Sequence, residues 1–396
     1  MHVAGSKGKG SVVALVGAAL QSAGLRCGTL TSPHVERVNE RLHLQGTPAE
    51  DDRLAAALDA AMEARAAAAQ RDSAGGEASW FDVFTAASFW ALAREDVGWA
   101  VVECGLGGRN DSTNVVGADV AVLTSVELEH TEVLGTTVEE IAREKAAIVS
   151  RCGTLIAALA HGSTAAAVAR CVARERGAGA VVMVPPSPDG AAASNLGTAR
   201  AVLDEIGRRG VRVAATAAGG DAPSRPSVVS HVGGHLLDEP AVRAAARATL
   251  PARLESTRAS CGVDVLLDGA HTPASAAALV RAVRGSAPPA AAASRRPPVL
   301  LLGLMADKDT AAVARELARL RPAHAVCTSL GSGASQPPHS VAALLLGAMP
   351  SGGCRAVAVG EPVDALAAAL DAARERGTYL VVTGSLRLCG TVRSSL

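Results

Sequence analysis

Residues 2–11, His2-Val-Ala-Gly-Ser-Lys-Gly-Lys-Gly-Ser11, decide the fold: a short apolar run, a glycine-rich turn carrying two lysines, then the apolar stretch Val12 to Leu25. This order predicts a strand, a turn and a helix start that place Lys9 and Ser11 as a phosphate loop would. Gly5, Gly8 and Gly10 would let backbone N–H groups close on phosphate, with Ser6 and Lys7 filling the turn. Lys9 would reach the terminal phosphates and Ser11 would help hold Mg2+. Two residues separate Gly5 from the Gly8-Lys9 pair, against four in the general phosphate-loop pattern.

Downstream, short apolar runs alternate with Ala-rich stretches, the pattern of parallel α/β sheets. Strands are expected at Trp99–Glu103, Val120–Ser125, Thr154–Ala157, Ala180–Val184, Val263–Leu267, Val299–Leu302, Ala323–Thr328 and Tyr379–Val382. Thr137 and Glu140 form a capping box that opens a helix over Ile141–Ile148, and a further helix is expected from Asn195. Pro185–Ala193, Ala215–Ser227 and Ser286–Pro298 read as loops. At 396 residues the chain exceeds what one core usually serves. Two domains are expected, 1–250 carrying the phosphate loop and 251–396 a smaller Rossmann-like α/β unit, with the boundary near Pro251.

Thirty-eight basic and thirty-eight acidic side chains cancel, leaving no field to draw the chain onto nucleic acid or an anionic membrane. A small-molecule substrate fits better. The Val12–Leu25 run is too short and too interrupted to span a bilayer. No charged segment or cleavage site precedes it, so a secretory signal is not expected. The eight cysteines lack metal-site spacing and read as buried free thiols in a reducing compartment. A cytoplasmic protein is expected, or a mitochondrial or plastid form should the true start lie upstream.

The shortened loop G-x-x-G-K-G-S resembles that of the Mur ligase superfamily, and further segments narrow the likeness to its folylpolyglutamate synthase and dihydrofolate synthase branch. Those segments are Thr31-Ser-Pro-His34 through Arg41, Glu103-Cys-Gly-Leu-Gly-Gly-Arg-Asn-Asp-Ser-Thr-Asn114, Thr124–Gly135 and Glu139–Ala146. Asp268-Gly-Ala-His-Thr-Pro273, Gly303–Asp309 and Thr383-Gly-Ser-Leu386 follow in the second half. The resemblance implies an ATP-dependent ligase that adds L-glutamate to a folate through an acyl phosphate, working as a monomer. The same resemblance leaves open dihydrofolate synthase, which adds glutamate to dihydropteroate, a bifunctional enzyme, or an inactive truncated relative.

By that resemblance, Ser11, Ser32, Glu103 and His130 would hold magnesium. Lys145 would be catalytic and carbamylated, with an exposed lysine pairing with Glu140 or Glu144 as the plain alternative. Arg253 would reach ATP phosphate, Asp268 the ribose, and His271 substrate or phosphate. The sequence departs from the family pattern at Ala252, which replaces a glycine, and at Glu129, which replaces an aspartate. The chain before the phosphate loop and after Ala180–Val184 is also shorter than the pattern.

Overall fold

The computed structural model describes residues 1–72, 76–209, 211–212, 228–229, 248, 250–285, 296–331, 335–349 and 354–396. The loop expected at Ala215–Ser227, and residues 286–295 of the one expected at Ser286–Pro298, lie outside the described residues. The chain divides into two compact units, Met1–Ala248 and Thr249–Leu396.

In the first unit, β1 (His2–Ala4) leads into α1 (Lys9–Ser22), followed by β2 (Cys27–Leu30), β3 (Leu42–Leu44), β4 (Thr47–Pro48), α2 (Asp51–Arg71) and α3 (Trp80–Arg94). Then come β5 (Trp99–Glu103), β6 (Val120–Leu123), α4 (Thr131–Leu134), α5 (Val138–Ala146), β7 (Thr154–Ala157), α6 (Thr164–Glu175), β8 (Ala180–Met183) and α7 (Ala191–Arg209). The sheet order is β4-β3-β2-β5-β1-β6-β7-β8. Pairing is parallel from β2 to β8, and β3 and β4 add antiparallel.

β1 therefore sits centrally, between β5 and β6. Helices cover both faces, which is why the central strands are Val- and Ala-rich runs rather than alternating ones. Val12, Val13, Val16, Ala19 and Leu20 of α1 recur at helical spacing and bury against Val101, Val120 and Ile156 of the sheet and Val202 and Ile206 of α7. On the other face Ala142, Ala146 and Ile148 meet Leu123, Leu155 and Ala169. A short ribbon, β9 (Val211–Arg212) with β10 (Val228–Val229), pairs antiparallel.

The second unit contains β11 (Glu255–Arg258), β12 (Asp264–Asp268), α8 (Pro273–Gly285), β13 (Val299–Leu302), α9 (Thr310–Ala318), β14 (His324–Thr328) and α10 (Pro338–Ala348). It ends with β15 (Arg355–Val359), α11 (Pro362–Arg376), β16 (Leu380–Thr383) and α12 (Leu386–Arg393). Its sheet order is β11-β12-β16-β13-β14-β15, parallel except for β11. Asp268 and Thr383 end adjacent strands in register, so both face the carboxyl edge where open α/β sheets bind ligands.

Three expectations are corrected. The helix expected from Asn195 starts at Ala191, so Ala191–Ala193 leave the loop and join α7. Alanine's high helix propensity explains the earlier start. The capped helix runs Val138–Ala146, beginning directly after its Thr137 cap and ending before Ile148. The cysteines are not uniformly buried: Cys27, Cys104, Cys327 and Cys389 are, but Cys152 and Cys261 are exposed. Among the described residues no helix is long and apolar enough to cross a membrane.

Candidate functional site

The phosphate loop leaves the carboxyl end of β1. Gly5 has φ 148 and Gly8 φ 87, conformations that L side chains rarely adopt. A Cβ on Gly5 would lie 2.0 Å from Thr124 Oγ1, and one on Gly8 2.4 Å from Asn195 Oδ1. Gly8 is the N-cap of α1, with no side-chain cap and no acidic residue in the first turn. With neither a side-chain cap nor a carboxylate at that end, the first-turn N–H groups and the positive end of α1 have the chemistry that suits an anion. Gly10 and Ser11 are half-buried in that first turn.

The segment after β6 forms the other wall of the loop. Ser6 N–H donates to Ser125 O at 2.9 Å, Lys7 N–H to Ser125 Oγ at 2.9 Å, and Thr124 Oγ1 to Lys7 O at 2.6 Å. Glu127 N–H donates to Ser6 Oγ at 3.0 Å. Lys9 Nζ folds over the turn to donate to Gly5 O at 2.9 Å.

Lys145 is where the structure departs most from the exposed-lysine alternative. Its side chain is 2% exposed, and Nζ donates to Glu129 Oε1 at 3.1 Å and to Gly5 O at 3.3 Å. Glu140 is used in the Thr137 capping box, and Glu144 faces Arg109. Neither expected partner holds Lys145. Burial pulls the Lys145 amine below its usual range, Glu129 opposes that, and Lys9 adds to it. For Glu129, burial acts upward but is outweighed by Lys145, Lys7 and Ser6, and its carboxyl ends below the usual range.

Glu103 closes β5 on the neighbouring strand, 4% exposed, and its Oε2 accepts from Ser32 N–H at 2.9 Å. The structure thus joins two of the expected magnesium residues. His130 is exposed, at the N-cap of α4 with a left-handed φ of 48. Among the described residues no three His, Cys, Asp or Glu side chains converge as a metal cage. That donor set still fits magnesium, which takes one or two carboxylates and leaves its other positions to phosphate and water.

Two features near Glu103 were not anticipated. Trp80, 55% exposed, stacks on Phe84 at 5.2 Å, and the Arg41 guanidinium lies 4.8 Å from the Trp80 ring centre. Arg41 Nε also donates to His34 Nδ1 at 2.8 Å. A cleft of about 230 Å³ is lined by Leu106, Asn110, Asp111, Ser112, Val133, Leu134 and Glu144. A larger cleft, about 560 Å³, lies between α6 and the start of β8, at the opposite end of the strands from the phosphate loop. Size alone does not mark the site, because open α/β sheets bind ligands at strand carboxyl ends. Sequence reading also missed Asn195 as a neighbour of Gly8; only its position in a helix packed on α1 reveals it.

In the second unit, Asp268 is nearly buried and accepts from Leu254 N–H at 2.9 Å through Oδ2 and from Ala270 N–H at 3.0 Å through Oδ1. Burial raises its pKa against those bonds and the Arg253 charge. Asp268 thereby ties the Pro251–Glu255 turn, with exposed Arg253, to the loop carrying His271. His271 is half-buried, with Nδ1 2.7 Å from Gly269 O. Ala252 sits at φ 53, where the family pattern has glycine.

The family model for the Mur ligase, glutamate ligase domain matches residues 252–386. The chain is 33% identical over 328 residues to a Halobacterium salinarum protein named as a probable bifunctional folylpolyglutamate synthase/dihydropteroate synthase, covering 80% of this chain and 38% of that one. It is 42% identical over 149 residues to the dihydrofolate synthase/folylpolyglutamate synthase of Bacillus subtilis, covering 37% of this chain and 34% of that one. The chain thus spans little more than a third of the length of these curated relatives. Among solved structures it resembles Escherichia coli FolC in complex with DHPP and ADP, with TM-score 0.72, 25% identity, and coverage of 99% of this chain and 87% of that one.

Proposed function

We propose, from its likeness to folylpolyglutamate synthase/dihydrofolate synthase proteins, that the chain is an ATP- and magnesium-dependent ligase joining the amine of L-glutamate to the carboxylate of a folate. The observation that carries the reading is the phosphate loop, where Lys9 and Lys145 meet at Gly5 O beside the strand that ends in Glu103. A carboxylate does not form an amide with an amine in water unless it is first made a better electrophile. The γ-phosphoryl group of ATP would pass to the acceptor carboxylate, and glutamate's amine would then attack the acyl carbon. The C–O bond to phosphate breaks, the amine loses a proton, and ADP and phosphate leave.

Lys9 would face the terminal phosphates, and the N–H groups of Gly5 to Ser11 would hold the chain of phosphates in line. Ser11, Ser32, Glu103 and His130 would hold magnesium, which when bound neutralises charge on the phosphoryl oxygens. The left-handed backbone at His130 supports a site role, since such strain in a non-glycine residue tends to cluster where function requires it. Arg253 would contact phosphate, Asp268 the ribose through its remaining acceptor capacity, and His271 the incoming glutamate or phosphate. The exposed Trp80 face with Arg41 suits a flat heteroaromatic acceptor. Free cysteines and the need for ATP favour the cytoplasm.

Addition of glutamate to dihydropteroate, alone or as a second activity, is the other reading, favoured because the Bacillus relative carries both names. The test is to supply tetrahydrofolate or dihydropteroate with an ¹⁸O-labelled carboxylate, together with ATP, magnesium and glutamate. One ¹⁸O in the released phosphate and a product heavier by one glutamyl unit are expected. Phosphate free of label would overturn the acyl-phosphate route.

A further inference from the structure

Arg253 stands between two left-handed residues, Ala252 at φ 53 and Leu254 at φ 51. Neither is glycine, and other residues hold that conformation only where their surroundings over-determine it. Here the surroundings do. Arg253 N–H donates to Leu250 O at 3.2 Å, and Ala252 O accepts from Gly269 N–H at 2.9 Å. Ala252 N–H donates to Glu255 Oε2 at 2.8 Å, and Leu254 N–H to Asp268 Oδ2 at 2.9 Å. Two carboxylates thus hold the amides on either side of Arg253.

Glu255 is itself held from α12. Its other oxygen, Oε1, accepts from Arg393 Nε at 2.9 Å, and the two side chains are 18% and 34% exposed. Arg393 is the final residue of α12, the helix that follows β16 and the Ser385 cap at the carboxyl edge of the sheet. Ser260 N–H donates to Leu396 O at 2.8 Å, so the residues after α12 are tied to the β11–β12 hairpin as well.

We propose that Glu255 and Arg393 are positioning residues for Arg253: Arg393 fixes Glu255, and Glu255 fixes the strained turn that holds the Arg253 guanidinium out toward an ATP phosphate. The proposal rests on the nucleotide reading above and adds to it two residues that act through Arg253.

A carboxylate close along the chain competes for an arginine's charge. With Ala252 N–H on Oε2 and Arg393 on Oε1, both Glu255 oxygens are occupied. Asp268 is occupied likewise, by Leu254 N–H on Oδ2 and Ala270 N–H on Oδ1. Among the described residues the exposed Arg253 side chain has no hydrogen bond or ion pair, although its charge is felt at Asp268. A guanidinium beside two satisfied carboxylates is left for a third anion, and its fork of donors suits phosphate. Loss of Arg393 would free Oε1 of Glu255 to draw Arg253 back onto the protein.

The experiment measures ATP affinity of the full chain by calorimetry, with magnesium, in a double-mutant cycle of Arg253→Ala and Arg393→Ala. Urea unfolding checks that each variant is folded. Arg393→Ala should weaken ATP binding roughly tenfold, within the coupling seen between residues that share partners. In the Arg253→Ala background the same change should have no further effect. Arg393→Lys should recover most of the loss. Glu255→Gln keeps an acceptor for Ala252 N–H but lacks the charge that Arg393 meets, and in a second cycle it too should weaken ATP only where Arg253 is present. In turnover the loss should fall on the KM for ATP and spare the KM for glutamate.

A loss of the same size with and without Arg253, or wild-type affinity in Arg393→Ala or in Arg253→Ala, would overturn the proposal while leaving ATP binding intact. Wild type that binds ATP without acceptor-dependent turnover would fail the ligase reading, and the affinities would still decide the roles of Glu255 and Arg393. Wild type that binds no ATP would sink the nucleotide reading and this proposal together.

Discussion

Lys9 and Lys145 donate to the same oxygen, the carbonyl of Gly5, at 2.9 and 3.3 Å. Two ammonium groups on one acceptor repel, and the pairing of Lys145 with Glu129 offsets that cost. Lys9 lies in a half-exposed turn, so it can be removed without opening the core. Lys9→Ala should therefore lower kcat/KM for ATP by about 10²–10³-fold, the scale of losing one charge-stabilising donor. Urea unfolding of the same variant should stay within about 0.5 kcal/mol of wild type. Turnover near the wild-type rate would remove Lys9 from the phosphate.

Gly8 has a left-handed backbone, and a side chain there would have to displace the Asn195 amide. Gly8→Ala combines an unfavourable φ of 87 with a Cβ 2.4 Å from Asn195 Oδ1. A stability loss of about 1–3 kcal/mol is expected, together with weaker ADP binding by calorimetry. A variant that binds ADP as wild type does would show that the turn can reshape without cost.

Asp268 and Arg253 should separate structure from chemistry in the second unit. Asp268→Ala strands the N–H groups of Leu254 and Ala270, each bonded to that carboxylate. At about 1–3 kcal/mol for each donor left without a partner, this variant should unfold at clearly lower urea. Arg253 is exposed, so Arg253→Ala should unfold like wild type and lose ATP turnover. Equal stability losses in the two variants would contradict this division.

Glu205 offers a test by pH. It is buried in α7, accepts from Thr154 Oγ1 at 2.5 Å and from Arg209 Nε at 2.9 Å, and pairs with Arg208. Burial alone would raise its carboxyl, but these partners outweigh it and hold the pKa below the ordinary 4.5. A group depressed on folding contributes stability above its unfolded pKa and loses it as pH falls through the folded value. Glu205→Gln should thus be less stable than wild type at pH 7. The gap should narrow as pH drops below 4.5, in urea unfolding followed across that range. A gap independent of pH would mean that the charge of Glu205 carries none of the difference.

The parts of the fold that sequence made legible are those governed by local chemistry. Thr154–Ala157 and Val299–Leu302 are strands with the expected bounds because each is a buried apolar run between turn signals. The Thr137 cap is visible because its side chain and that of Glu140 bond within one turn. Cys27–Leu30 was not anticipated as a strand, since a Cys-Gly-Thr-Leu run lacks β-branched density, whereas Arg355–Val359, Arg-Ala-Val-Ala-Val, is an apolar run that local pattern does make legible although it was not among the expected strands. Long-range pairings were illegible for a different reason. Nothing local distinguishes Glu129 from Glu140 as the partner of Lys145; only the crossover that carries α5 back across the loop selects it. Asn195 against Gly8 follows the same logic.

The most direct test of the account is ADP release from the full chain with ATP, magnesium and glutamate, comparing tetrahydrofolate, dihydropteroate and no acceptor, with Lys9→Ala alongside. The account predicts ADP release that requires an acceptor and disappears in Lys9→Ala. ADP release that is the same with and without an acceptor, or that survives in Lys9→Ala, would contradict it.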